Sequence, residues 1–213
     1  MKRFLLRLAG GYAGLGALVY LVHRARYAAT SQVRAWTDQP GWSPVPVSAN
    51  LSSRQFNQPD LVGNVREALA AAGTRPDCLR LEVTESAVME SGPAARHVLG
   101  ELKALGIQLS IDDFGTGYSS LSYLHQFPVD TLKIDQSFVS RLDATMQNLE
   151  IVRTIVMLAH NLGMNVIAEG VETQDQALQL RRLGCEFAQG SHISPPLTAE
   201  DARALLDAGV PAR

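Results

Sequence analysis

Cysteine is scarce in this chain: two thiols, Cys78 and Cys185, among 213 residues. Two cysteines do not make a disulfide framework, and without a Cys-x-x-Cys pair nothing points to zinc; a reducing compartment is the expectation. An excess of charge of one sign is missing as well. The 19 Lys and Arg against 21 Asp and Glu leave a formal net charge of −2 and a pI of about 6.2, which gives no electrostatic footprint for a nucleic-acid polymer. Disorder-type composition is absent too. At 46% hydrophobic and 19% charged residues the chain reads as ordinary globular protein, long enough for one domain with a sizeable core.

One stretch departs from that pattern. Residues 4–22 read FLLRLAGGYAGLGALVYLV, with Lys2 and Arg3 ahead of them and Arg24 and Arg26 behind. The run has about the length of a membrane span, roughly 20 residues, but Arg7 and four glycines interrupt it. A charge at the centre of a spanning helix costs about 2.5–3.5 kcal/mol, although Arg7 sits near the end, where it can snorkel. No convincing small-x-small cleavage site precedes Arg24, so an uncleaved anchor fits better than a signal peptide. Basic residues on both flanks leave its orientation open. The alternative is a helix of the domain with an unusual start, or foreign sequence translated from a displaced start codon. Residues 1–27 are therefore set apart as an apolar segment, a candidate membrane contact through 4–22, ahead of a domain over 28–213.

Beyond Pro46 the chain alternates short β-rich runs with stretches of helical period. The β-rich runs are PVSANLS (46–52), CLRLEVTE (78–85), IQLSIDDF (107–114), DTLKID (130–135), MNVIAEG (164–170) and CEFAQG (185–190). Helices are predicted over 59–72, 93–105, 148–162 and 174–183, and Gly106, Gly163 and Gly184 follow helices as C-terminal caps do. Alternation of this kind predicts an α/β fold of parallel βα units. Polar side chains fall at the end of every strand-like run: Asn50, Glu82, Asp112 with Asp113, Lys133, Glu169 and Gln189. A doubly wound sheet also places ligands at strand ends, but at one crevice. Polar groups at every end favour strands converging on one point, as in a TIM-type (β/α) barrel. About six of the eight βα units are recognisable. With the N-terminal part missing, the apolar strand residues Leu79, Leu81, Val83, Leu109, Ile111, Leu132, Ile134, Val166 and Ile167 are expected to face a gap.

Asp112 and Asp113 form the strongest local signal. Adjacent carboxylates repel, and within a strand they point to opposite faces. At a strand end that turns into Gly115-Thr116-Gly117 both can approach one site, and a divalent cation is the natural neutraliser. Asn50, Glu82 and Glu169 add oxygen donors that suit Mg²⁺ or Mn²⁺ rather than zinc. Two such ions would clamp the attacking and leaving oxygens of a phosphoryl group. Lys133 can orient or help deprotonate an attacking water, or neutralise charge developing on a phosphate.

Taken together, NLSSRQF (50–56), LEVTES (81–86), DDFGTGYSSLSYL (112–124), LKIDQSFV (132–139), AEGVET (168–173) and AQG (188–190) resemble the EAL family. Its members are bacterial phosphodiesterases that hydrolyse cyclic di-GMP to linear pGpG. The resemblance runs from about Ala29 to the C-terminus and implies a two-metal Mg²⁺ or Mn²⁺ site. It implies that Asn50, Glu82, Asp112 and Glu169 are metal ligands, with Asp113 serving the second metal. It implies that Lys133 holds the catalytic water, with Glu169 and Asp113 beside it in the catalytic set, and that Glu172 and Gln189 line the substrate side. Glu85 matches the anchor of the loop after the paired aspartates, Phe114 to Ser120, which in the family couples dimerisation to metal binding, so a homodimer is expected. The messenger is cytosolic, which places the domain in the cytoplasm or tethered to the inner face of the membrane.

The match also departs from the family. The name-giving Glu-x-Leu-x-Arg motif should precede Asn50 and has no counterpart there; Glu67-Ala68-Leu69 lies in the helical stretch after Asn50, with no arginine in place. After Gln189 the family continues Gly-Tyr-x-x-Ser-Arg/Lys-Pro, whereas this chain reads Gly190-Ser191-His192-Ile193-Ser194-Pro195-Pro196. His192 is a candidate ligand or base, or simply a surface histidine. Three readings follow: a phosphodiesterase impaired by its missing part, an inactive relic that binds cyclic di-GMP or a protein, and a truncated gene product.

Overall fold

A computed structural model describes residues 46–117, 124–142 and 146–207. The apolar run, its membrane reading and the boundary at residue 27 lie outside the described residues. Among the described residues no helix is long and apolar enough to cross a membrane.

Six strands form one parallel sheet in chain order: β1 (Val47–Leu51), β2 (Leu79–Thr84), β3 (Gln108–Phe114), β4 (Thr131–Ile134), β5 (Asn165–Ala168) and β6 (Phe187–Ala188). The sheet curls into a half-barrel, and β1 and β6 each have one strand neighbour among the described residues. The six predicted strands are thus present. Helices α1 (Ser53–Phe56) and α2 (Leu61–Ala72) connect β1 to β2, and α3 (Glu85–Ala104) connects β2 to β3. Helices α4 (Gln136–Val139) and α5 (Met146–Asn161) follow β4, α6 (Gln174–Arg182) follows β5, and α7 (Ala199–Asp207) comes last.

Side-chain caps start several helices close to strand ends. Ser52 and Gln55 form a capping box at α1, and Thr173 and Gln176 form another at α6. Thr84 is both the last residue of β2 and the N-cap of α3, its hydroxyl accepting from the Ala87 N–H. No loop separates strand from helix there, which holds Glu82 and Glu85 on a rigid corner. The sequence places the start of this helix at Pro93, eight residues too late. Gly92 takes a non-helical conformation (φ 50, ψ −127) inside α3, and Pro93 opens the second segment, where its missing N–H costs little. Gly106 and Gly163 take positive φ just past α3 and α5, the cap geometry that the sequence indicates.

Strand parity sorts the sheet into two faces. Leu79, Leu81, Val83 and Leu109 join one cluster with the helices, and Ile111, Leu132, Ile134 and Val166 join a second. Each buried side chain of this size contributes about 1.5–3 kcal/mol relative to exposure. The expectation that these residues face a gap is therefore corrected: they point outward, under the helices. Only Ile167, register partner of Lys133, shares the other parity, and it belongs to neither cluster. The opposite face, inside the half-barrel, is polar and buried: Ser48, Arg80, Glu82, Ser110, Asp112, Thr131 and Lys133.

Candidate functional site

Lys133 sits one residue before the end of β4, and 1% of its side chain is exposed. Its ammonium lies 2.7 Å from Glu82 Oε2, 2.9 Å from Asp112 Oδ1 and 2.5 Å from Glu169 Oε1. These acids come from β2, β3 and the residue after β5. The sheet register brings them together: Asn50 pairs with Glu82, Thr84 with Asp112, and the Glu169 N–H donates to Ile134 O at 3.0 Å. Burial by itself pulls the Lys133 pKa down. The charges of Glu82, Glu169 and Asp112 outweigh it and hold the ammonium well above the ordinary lysine value. Lys133 is therefore a fixed cation and a donor.

Three buried carboxylates around one ammonium leave the cluster negatively charged. Charges removed from water cost several kcal/mol each unless compensated, so this centre attracts a further cation. One carboxylate oxygen each from Asp112, Asp113 and Glu169 lies within 4.8 Å of the others. The donors are all oxygens, which suits a hard divalent cation. Asp113 reaches the centre through an irregularity in the strand. It has φ 55, the one described non-glycine residue with positive φ, and the β3–β4 register shifts between Ile111 and Phe114. A bulge of this kind re-aims a side chain, so both carboxylates face one point from within β3 rather than from the turn beyond it.

Glu85, 1% exposed, accepts the Gly115 N–H on Oε2 at 2.9 Å. It thereby holds the start of the loop that follows the aspartates. Residues 118–120 of that loop lie outside the described residues. Gln189, directly after β6, donates from Nε2 to Glu169 Oε1 at 3.0 Å. Two predicted site residues are not drawn into the charged cluster. Asn50 is exposed at the end of β1, beside Glu82 in register. Glu172 is exposed on the loop after β5. His192 is half-buried, and its N–H donates to Val171 O.

One contributor escaped sequence reasoning. Gln176 is buried, and its Oε1 accepts from the N–H groups of Glu172 and Thr173 at 2.9 and 3.2 Å. This fixes the loop that carries Glu169 and Glu172. The Thr-x-x-Gln capping signature was the available signal.

The EAL domain family matches residues 14–196, starting inside the apolar run and ahead of residue 28. MucR of Pseudomonas aeruginosa, a bifunctional diguanylate cyclase/cyclic di-GMP phosphodiesterase, is 44% identical over 172 residues, covering 81% of this chain and 25% of MucR. The MucR phosphodiesterase solved as a c-di-GMP complex superposes with a TM-score of 0.84 at 41% identity, covering 88% of this chain and 75% of that one. BlrP1 of Klebsiella pneumoniae, solved with manganese and cyclic di-GMP, superposes with a TM-score of 0.71 at 33% identity, covering 80% and 43%. The chain spans about a quarter of the length of the curated relatives it matches. Sequence identity over most of the chain and a fold that superposes on solved relatives lead to one conclusion: the chain belongs to the EAL domain family.

Proposed function

We propose that this chain is a cyclic di-GMP phosphodiesterase domain that hydrolyses the cyclic dinucleotide to linear pGpG with two Mg²⁺ or Mn²⁺ ions. The observation that carries the reading is Lys133, buried among Glu82, Asp112 and Glu169 with Asp113 beside them. Asn50, Glu82, Asp112, Asp113 and Glu169 would hold the ions. When bound, such ions supply a nucleophile at neutral pH and stabilise charge developing on a phosphate. Lys133, a cation fixed by three acids, would neutralise charge developing on the phosphate. Glu172 and Gln189 line the dinucleotide side, and Glu85 keeps the loop after β3 in place. The names of MucR and the manganese complex of BlrP1 support the same reading.

The test is hydrolysis of cyclic di-GMP by the purified chain with Mn²⁺ or Mg²⁺, pGpG being followed by chromatography. Turnover that disappears in Asp112→Ala supports the reading. No turnover from folded chain at high enzyme concentration overturns it.

A specific observation favours a second reading. Ser191 and Pro195 replace an aromatic and a basic residue of the family pattern. Loss of those contacts would leave a module that binds cyclic di-GMP, or a protein, without turning the dinucleotide over. Calorimetric binding without hydrolysis identifies that case. Exposure of Met146 (73%) and Met157 (57%) on α5 supports a homodimer, tested by sedimentation. A location on the cytoplasmic side, free or tethered through residues 4–22, is tested by cell fractionation.

A further inference from the structure

Gly190 stands next to Gln189 at the end of the AQG motif, with no role assigned to it above. A Cβ at this position would lie 2.2 Å from the Val171 carbonyl oxygen, 2.3 Å from its nitrogen and 2.7 Å from its carbonyl carbon, where ordinary contact begins at 3.4 Å. These are backbone atoms, so no flexible side chain can yield. Hydrogen bonds hold the close approach in place. The Val171 N–H donates to Gln189 O at 3.1 Å, and the His192 N–H donates to Val171 O at 3.0 Å. The turn after β6 therefore grips the chain two residues beyond Glu169. The Gln189 side chain completes the link, its Nε2 donating to Glu169 Oε1 at 3.0 Å.

We propose that Gly190 is a positioning residue: its lack of a side chain lets the turn after β6 lie on Val171, which holds Gln189 against Glu169 and sets the geometry of Glu169 for a divalent cation. The proposal rests on the reading of Glu169 as a metal ligand. A ligating carboxylate is oriented by its own hydrogen-bond partners, and loss of such a partner typically weakens metal binding about 10–100-fold. A methyl group at Gly190 lifts the turn from Val171 and draws Gln189 away, so its effect passes through the same hydrogen bond.

The test uses the full chain and three variants: Gly190→Ala, Gln189→Ala and the double substitution. Mn²⁺ affinity is read from the electron paramagnetic resonance signal of the free ion, and hydrolysis of cyclic di-GMP is measured separately. Each single substitution is expected to weaken Mn²⁺ binding about tenfold or more, and the double variant no further than the weaker single. A Gly190→Ala affinity within about twofold of wild type overturns the proposal, and so do losses that multiply in the double variant. If Gly190→Ala does not fold, Gln189→Ala decides: unchanged affinity there removes the route from Gly190 to the metal, and weakened affinity supports it. A wild-type chain that takes up no Mn²⁺ also overturns the proposal. Wild-type chain that binds Mn²⁺ without hydrolysis defeats the catalytic reading alone.

Discussion

Asp113 donates its backbone N–H to Asp112 Oδ1 at 3.1 Å from a left-handed conformation, φ 55. Adjacent residues of a regular strand point to opposite faces. The left-handed residue breaks that alternation and puts two neighbouring carboxylates on one centre.

The backbone and the charge of Asp113 can be tested separately. Asparagine tolerates the left-handed region and β-branched residues do not. Asp113→Asn is expected to unfold within about 2 °C of wild type while weakening Mn²⁺ binding about tenfold or more. Asp113→Val should lose a further 1–2 kcal/mol or so of stability. Calorimetry beside a Mn²⁺ titration measures both. Equal stability losses in the two variants would contradict the backbone argument.

Lys133 compensates the buried acids around it. Lys133→Met leaves three carboxylates facing one another, at a cost of about 3–5 kcal/mol in chelator. A divalent cation should then restore more stability to the variant than to wild type. The measurement is the melting temperature with EDTA and with Mn²⁺. Equal Mn²⁺ shifts in the two proteins would count against a shared electrostatic centre. Hydrolysis by Lys133→Met should fall at least about a hundredfold.

Gly115 has φ +93, and a Cβ there would sit 2.9 Å from Phe138 Cε2 and 3.1 Å from its Cζ. Gly115→Ala combines backbone strain with a ring overlap and is expected to cost about 2–3 kcal/mol. Adding Phe138→Leu relieves the overlap but not the strain, so the double variant should recover only part of the loss. Chemical denaturation of both variants checks this, and complete recovery would remove strain from the account.

Both thiols are predicted to be sluggish. Burial pushes Cys185 up to about 12, against a weaker opposing pull from a backbone hydrogen bond at Phe187; burial also raises Cys78. The thiolate is the reactive form, so a raised pKa keeps the neutral thiol until strongly alkaline pH. At pH 8 the folded chain should hold about a thousandfold fewer Cys185 thiolates than an unperturbed cysteine would. Alkylation at pH 8 should therefore be slow in native buffer and fast in denaturant. Rapid native labelling of Cys185 would show that its site opens.

Much of this architecture was legible before any coordinates. Each of the six strands is a β-rich run of the sequence, and their order in the chain is their order in the sheet. The start of α3 was not legible, because Gly92-Pro93 reads as a break and the segment before it carries a local cap, Thr84, inside what looks like strand. The acids at the strand ends were legible in the motifs. Their grouping was not: Asn50 and Glu172 carry the same kind of motif signal as Glu82 and Glu169, yet remain exposed in this arrangement.

The sequence by itself determined composition class, parallel βα repeats, the family motifs and the kinds of donor atoms at the strand ends. These are local or near-local properties, set by side-chain chemistry and by spacing along one segment. The tertiary structure alone decided which strand face is buried under helices, that Lys133 sits among three acids from β2, β3 and the residue after β5, and that Asp113 turns back beside Asp112. Those facts depend on register between segments up to 51 residues apart, as for Lys133 and Glu82, and on one left-handed residue. No single segment carries either.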